Sequence, residues 1–407
     1  MKANRHFSIL HKDKKTSARV GFLNTNHGAI ETPVFMPVAT QAVFKGGLDS
    51  YDVHAVNAPI ILANTYHLYL RPGSELIYQM GGLHSFMHWD KPILTDSGGF
   101  QVWSLGLGAR KGGLAKIDDD GVTFTSHLDG RIHRLTPERT IHIQRELGAD
   151  IIMAFDEATS DMSDYEYAKQ AMKRTHEWAK RCLEENSKIP PEADQPLVGK
   201  IPVYTKALAG RQNFKKQLLF GIMQGGKYKK LRIESAKIIS AMGFDGIAVG
   251  GETIGYNMKR TAEILEYLVP YLPEDKPRYT MGLGISPTDF FVAVEHGIDM
   301  FDCVAPARIG RHGNVYCRDA GNKKKYRLNI LNTKFVHDTR PLCSWCDCLT
   351  CKTYSRAYLR HLFKAEELTA LRLATIHNLR FMLKVMEEIR EAIKTGVFLR
   401  LKREWFL

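Results

Sequence analysis

The chain has 407 residues, with 57 Lys and Arg against 44 Asp and Glu, a formal net charge of +13. Hydrophobic residues make up 44% and charged residues 25%, which excludes a wholly disordered chain and suffices for one large domain or a barrel with an appendage. No apolar run reaches the ~18 residues of a membrane span, and the start MKANRHFSILHKDKK lacks the apolar stretch of a signal peptide, so no membrane association and a cytoplasmic setting are expected. The sequence pI near 9.3 favours a polyanionic partner, of which nucleic acid is the commonest. Basic runs stand at Lys227–Arg232 (KYKKLR), Arg308–Arg311 (RIGR) and Lys323–Arg327 (KKKYR).

Short apolar runs recur along the chain and end in Gly, Asp, Thr or Gln: PVFMPVAT (33–40), PIILANT (59–65), PILTDSGG (92–99), DIIMAFDE (150–157), LFGIMQGG (219–226), GIAVGGE (246–252), YTMGLG (279–284) and DMFDCVAP (299–306). Helical patterns with apolar spacings of three and four separate most of them, at 136–148, 163–186, 228–243 and 257–272. Pro137 sits where a first helical turn tolerates it, after Thr136 as a cap. Buried-type strands alternating with helices predict an α/β protein whose parallel sheet closes into a (β/α)8 TIM barrel. The rival is an open doubly wound sheet, but no GxGxxG follows the first strand, which weakens a dinucleotide-binding reading.

In a barrel, reactive groups gather at the C-terminal ends of the strands. Those ends carry Asp96, Asp156, Gln224, Gly250–Gly251 and Asp302, so three carboxylates and an amide converge on one mouth. Two segments break the alternation. Residues 102–135 read as a hairpin-bearing insertion, and residues 187–217 as a Pro-rich surface excursion. The expected division is a barrel over 1–306 and a zinc-binding subdomain with C-terminal helices over 307–407.

Seven Cys are present, four of them between Cys343 and Cys351. Clustering that tight points to a metal in a reducing compartment, not to a disulfide scaffold. Cys346, Cys348 and Cys351 match a tight zinc turn. Cys343, His361 or His377 is available as a fourth ligand. His377 is taken as that ligand because its helical run, ALRLATIHNLRFMLKVM, can fold back on the turn. Four protein ligands close the site, so one structural zinc per chain is expected.

The chain closely resembles the bacterial tRNA-guanine transglycosylases from about Gly21 to about Glu388. The resemblance rests on TYHLYLRPG (65–73), LTDSGGFQ (94–101), MAFDE (153–157), FGIMQGG (220–226), GIDMFDCV (297–304), CDCLTC (346–351), YSRAYLRHL (354–362) and TIHNLRF (375–381), in the family's order. It implies a (β/α)8 barrel with a zinc-bearing insertion near the C-terminus. It also implies exchange of guanine at the first anticodon position of certain tRNAs for a 7-deazaguanine, without breaking the sugar-phosphate chain. The incoming base is usually 7-aminomethyl-7-deazaguanine, a queuosine precursor. Homodimerisation is typical of the family.

Replacing a base on the same face of the ribose favours two displacements through a covalent intermediate. The resemblance assigns the nucleophile to Asp302 and the acid/base to Asp96. It assigns Asp156 to the donor edge of guanine, with Gln224 and the amides of Gly250–Gly251 at the carbonyl. Phe100 and Met281 match positions that sandwich the base, and Ser97 assists recognition. The base must leave the anticodon stack to reach the pocket. Arg308 and Arg311 are placed to hold the flanking phosphates of the anticodon stem-loop, with Lys323–Arg327 extending that contact.

The sequence departs from the family after the sixth strand, where GGLSVGE is usual and GGETIGY stands at 250–256. In relatives this loop reads the substituent at position 7. Glu252 can pair with an aminomethyl ammonium. Ile254 is bulky where relatives that accept queuine often carry Gly, which favours the smaller base; queuine remains the alternative. A non-catalytic RNA-binding paralogue should have lost its reactive carboxylates, yet all three remain. An archaeal-type enzyme needs a further RNA-binding domain, and only thirty residues follow His377. The zinc turn and the base-edge residues argue against a sugar-cleaving glycosidase.

Overall fold

The computed structural model describes residues 6–101, 104, 115–188, 216–251, 254–321 and 326–407. Glu252, the 323–325 lysines and the 189–215 part of the expected excursion lie outside the described residues. Parallel staves follow one another as Val34–Met36 continued by Val38–Ala39, then Ile61–Ala63, Ile93–Thr95, Ile151–Met153, Leu218–Met223, Gly246–Val249, Arg278–Thr280 and Met300–Asp302. All eight expected strand positions are occupied. The last stave pairs with Val34–Met36, and Ile61–Ala63 pairs with Val38–Ala39. Pro37, with no N–H to give, sits where the first stave passes from one neighbour to the other and closes the ring. The sheet is a barrel, and the open-sheet rival falls.

Alternation along each stave sorts its side chains. Met36, Leu94, Met153, Phe220, Ala248 and Tyr279 belong to an inner cluster. Phe35, Ile93, Ile152, Leu219, Ile247 and Phe301 belong to a second cluster shared with the surrounding helices. Among those helices are Pro137–Leu147, Tyr165–Ser187, Lys229–Ala241, Met258–Leu268 and Pro287–Glu295. Thr136 caps the first of them as expected, accepting from the Arg139 amide at 3.2 Å. The fourth α-helix ends at Leu268, short of the expected Leu272, and passes into a 3₁₀ turn, Val269–Tyr271. Pro270 is the reason: it lacks the N–H that a continued helix needs.

An antiparallel sheet of Phe7–Lys12, Arg19–Thr25 and Gly28–Thr32 precedes the barrel and was not foreseen from the sequence. Phe7, Leu23 and Ile30 join the inner cluster and plug the end opposite the mouth. Each such side chain contributes roughly 1.5–3 kcal/mol when fully buried. Two buried aspartates at the starts of staves fasten this plug. Asp299 takes the Arg19 guanidinium at 2.6 and 2.9 Å. Asp150 takes the Ile93 amide at 2.9 Å and the His27 amide and Nδ1 at 3.0 and 2.8 Å, with His84 Nε2 at 3.2 Å. The His27 and His84 rings are stacked at 3.5 Å with 16° between planes, so one metal ion cannot lie in both ring planes. This cluster is a structural clasp.

The expected insertion after the third stave contains the antiparallel strands Ala115–Asp118, Gly121–Thr125 and Ile132–Leu135. After the last stave come Ala305–Gly310, a hairpin of Asn314–Tyr316 with Arg327–Asn329, and the helices Leu349–Thr353, Arg356–Lys364, Leu368–Lys394 and Phe398–Phe406. Val315, Phe335, Leu342, Leu359 and Leu373 form a small core of their own. The long helix also shares the outer barrel core through Leu379, Met382, Met386 and Ile389. Its Arg390 donates to the Pro33 carbonyl at 2.9 Å, so it covers the first stave.

Candidate active site

Asp96 follows the third stave. Its Oδ1 accepts from the Thr65 amide at 2.9 Å, and its Oδ2 accepts from Asn64 Nδ2. Burial pushes its carboxyl up to about 7; the Thr65 amide opposes this, and repulsion from Asp302 and Asp156 adds to it. Asp302 ends the eighth stave. Its Oδ1 accepts from the Tyr279 hydroxyl at 2.6 Å and the Gly282 amide at 2.9 Å. Burial raises its pKa, and those two donors hold it down. Tyr279 itself is kept protonated, by burial first and by the Asp302 charge second. Both donors fall on one oxygen of Asp302, so Oδ2 is the oxygen with lone pairs to offer.

Asp156 lies three residues past the fourth stave and is buried. Ser97 donates to its Oδ1 at 3.0 Å and Gln224 Nε2 to its Oδ2 at 2.7 Å. Burial raises this carboxyl to about 6 against the pull of Gln224 and Ser97. Gln224 Oε1 is buried with no partner among the described residues, an acceptor waiting for a donor. A β-carbon on Gly250 would lie 2.6 Å from Gln224 Nε2, so only glycine lets that backbone approach. Met281 stands between Tyr279 and Gly282 and packs on the inner cluster. Phe100 is 52% exposed, close to Gly99, whose Cα faces the Asp156 carbonyl. The mouth thus gathers Asp96 and Asp302 and, beside them, a hydrogen-bonded cluster of Asp156, Ser97 and Gln224 against Gly250. Glu252 lies outside the described residues.

Arg308 is exposed on the short helix that follows Asp302, and Arg311 is part-buried, with Nε 3.3 Å from the Ala307 carbonyl. Arg327 departs from the expected extension of this surface. Its Nη2 donates to the Ile285 carbonyl at 2.5 Å and its guanidinium lies over Tyr316, so it is committed to the fold.

The metal-ligating atoms of Cys346, Cys348, Cys351 and His377 all lie within 4.8 Å of one another. His377 Nδ1 is 3.5 Å from Cys348 Sγ and 3.2 Å from Cys351 Sγ. Its Nε2 faces the Tyr316 carbonyl at 2.6 Å, which fixes the proton there and turns the Nδ1 lone pair to the thiols. Three thiolates and one imidazole suit a tetrahedral metal with no open position. Cys343 stands apart, its sulfur accepting from the Arg318 amide at 3.4 Å, and His361 is exposed on another helix.

Sequence reasoning passed over Asn64, Thr65, Tyr279 and Gly282, the donors that hold the two carboxylates. Asn64 and Thr65 stand at the C-terminal end of the second stave, and Tyr279 is inward-facing in the seventh, so position on the staves was the signal that could have found them.

Asp96 binds a proton in the folded state that an unfolded aspartate releases near pH 4. Stability contributed by that proton is present at low pH and is lost as pH rises towards 7. The difference in Tm between Asp96→Asn and wild type should therefore grow more positive from pH 5 to pH 8. Thermal unfolding at both pH values checks this, and an offset independent of pH would contradict it.

The sequence profile described as queuine tRNA-ribosyltransferase matches residues 13–407. The chain is 48% identical over 399 residues to a queuine tRNA-ribosyltransferase of Caldanaerobacter subterraneus, covering 98% of this chain and 96% of the relative. It is 48% identical over 402 residues to one of Herpetosiphon aurantiacus, covering 99% and 92%. It is 45% identical over 405 residues to one of Clostridium perfringens, covering 98% of each. The profile spans the barrel, the mouth and the Cys–His cluster together, and the chain belongs to the queuine tRNA-ribosyltransferase family, the tRNA-guanine transglycosylases.

Proposed function

We propose that this enzyme exchanges guanine 34 of tRNAs with G-U-N anticodons for 7-aminomethyl-7-deazaguanine through a covalent intermediate on Asp302. The observation that carries the reading is the pairing of Asp302, whose Oδ1 takes the Tyr279 hydroxyl and the Gly282 amide and leaves Oδ2 open, with Asp96, poised near neutrality. Asp302 Oδ2 attacks C1′ of the ribose. The C1′–N9 bond breaks with its electron pair going to guanine, and protonated Asp96 supplies the proton that guanine takes up. The incoming base then gives a proton to the Asp96 carboxylate and attacks C1′ from the vacated face, and Asp302 leaves. Two inversions give net retention.

Asp156 accepts from the N1–H and exocyclic amine of the purine, while the second Nε2 proton of Gln224 and the Gly251 amide serve its carbonyl; the Gly250 amide, expected to join them, is committed to the Met223 carbonyl at 3.1 Å. Phe100 and Met281 sandwich the ring, and Ser97 orients Asp156. Arg308 and Arg311 hold the phosphates beside the flipped nucleotide. Glu252 is assigned to the aminomethyl group. Ile254 is buried in the outer core, so its bulk does not itself line the mouth, and the preference for the smaller incoming base over queuine is carried by the resemblance. A non-catalytic role is disfavoured by the retention of Asp96, Asp156 and Asp302.

Cys346, Cys348, Cys351 and His377 would hold one zinc ion, which supplies no chemistry at the mouth and ties the turn to the long helix. The division into a barrel over 1–306 and a zinc-bearing segment over 307–407 is supported by the small separate core. A homodimer and a cytoplasmic setting are carried by the family resemblance.

Radiolabelled guanine should enter unmodified tRNA bearing a G-U-N anticodon. Asp302→Asn should reduce that incorporation by more than about a thousandfold, as expected when a nucleophile is lost, with tRNA binding preserved; retained turnover would remove Asp302 from its role. Metal analysis of purified protein should find about one zinc per chain, lost together with thermal stability in Cys348→Ser. A folded protein free of metal would overturn the zinc assignment.

A further inference from the structure

Arg232, on the helix Lys229–Ala241, is 0% exposed. Its Nε donates to the Gly226 carbonyl at 2.6 Å and its Nη1 to the Gly250 carbonyl at 2.9 Å. Among the described residues Nη2 has no hydrogen-bond partner, and Asp161 acts on the guanidinium only through its charge. Burying a guanidinium against carbonyls costs stability, and an apolar side chain of similar volume would be cheaper for the fold alone. The two carbonyls it binds belong to the turns that follow neighbouring staves, Gln224–Gly226 and Gly250–Gly251. Both turns are moulded against it. Gly251 has φ +126 and a β-carbon there would collide with Nη2, while Gly225 has φ +135 and a β-carbon there would lie 2.7 Å from the Arg232 amide nitrogen.

The C=O of Gly250 and the N–H of Gly251 belong to one trans peptide plane and point in opposite directions. Arg232 draws the carbonyl outward, towards the helical ring. The Gly251 N–H must then point the other way, towards the mouth. A charge-assisted bond on the carbonyl also polarises the peptide and strengthens its N–H as a donor.

We propose that Arg232 is the positioning residue that aims and polarises the Gly251 amide at the 6-carbonyl of the purine, and that it locks this amide in register with Gln224. The inference rests on the base-recognition reading above and extends it to a residue that touches no substrate. Arg232 acts on the part of the base that distinguishes guanine from a 6-unsubstituted purine. It has no part in the attack of Asp302 on the ribose.

The test is competitive inhibition of guanine exchange in the full-length, zinc-loaded enzyme, comparing 7-deazaguanine with its analogue lacking the 6-carbonyl, 2-amino-7-deazapurine. In Arg232→Met the preference for the carbonyl-bearing base should shrink by about tenfold, the loss of one well-placed hydrogen bond. KM for guanine should rise by a similar factor, and the KM for tRNA should stay within about twofold, since the phosphate contacts are untouched. Arg232→Lys keeps the charge without the two-pronged fork and should fall between. A purely structural role would weaken both inhibitors alike and leave their ratio unchanged; that result would overturn the proposal. If Arg232→Met does not fold, Arg232→Lys decides alone: a wild-type ratio and wild-type KM contradict the assignment. Wild-type enzyme that fails to exchange guanine would sink the functional reading itself, which separates the two failures.

Discussion

Carboxylates that share one desolvated mouth are costly to charge, and the donors around each decide how far that cost is offset. Asp96, Asp156 and Asp302 are brought together by barrel closure, and each is raised above the ordinary carboxylate range chiefly by burial. Different donor sets then separate them. Asp302 receives a phenol and an amide on one oxygen, and these two donors oppose the rise that burial causes. Asp96 feels both other carboxylates and settles near neutrality, where a group can both give and take a proton. Asp156 is tied to Ser97 and Gln224 and so becomes a fixed acceptor. Three identical side chains acquire three different chemistries from their surroundings.

Stability is lodged elsewhere. At the opposite end of the barrel, Asp150 and Asp299 also stand buried at stave termini, but their donors are plentiful and fasten the N-terminal plug. Asp150 is held well below the usual carboxylate range by His27 and His84, in spite of its burial. The aspartates before the staves serve the fold, and those after them line the mouth to which the reaction is assigned.

The staves were legible in the sequence because a barrel strand is buried on both faces and leaves a continuous apolar run, ended by the residue that reaches the mouth. Asp96 and Asp302 could be named for that reason and for their motifs. The Cys346–Cys351 turn was legible because thiolates so close together have few uses, and His377 was legible over His361 because its helical run could fold back on the turn, where its Nδ1 meets Cys348 and Cys351. The N-terminal sheet was not legible: FSILHK buries only Phe7 fully, and its apolar residues meet the barrel interior only once the barrel exists. Asn64, Tyr279 and Arg232 were missed for a related cause. Their partners are set by stave register and by neighbouring turns, and nothing in the local sequence records which carbonyl or carboxylate will lie opposite. Arg327 shows the converse, since a residue within a basic run can be spent on a buried carbonyl.

The central claim is that Asp302 forms a bond to C1′ while Asp96 handles the proton. Incubating the enzyme with an anticodon stem-loop RNA in the absence of any incoming base, then digesting both and mapping peptides by mass spectrometry, reads this bond directly. A ribose-linked nucleotide adduct on the peptide carrying Asp302, absent when RNA is omitted and discharged by added guanine, is the predicted result. An adduct on Asp96 or Asp156, or active enzyme that releases guanine without any adduct under quenched single-turnover conditions, would contradict it.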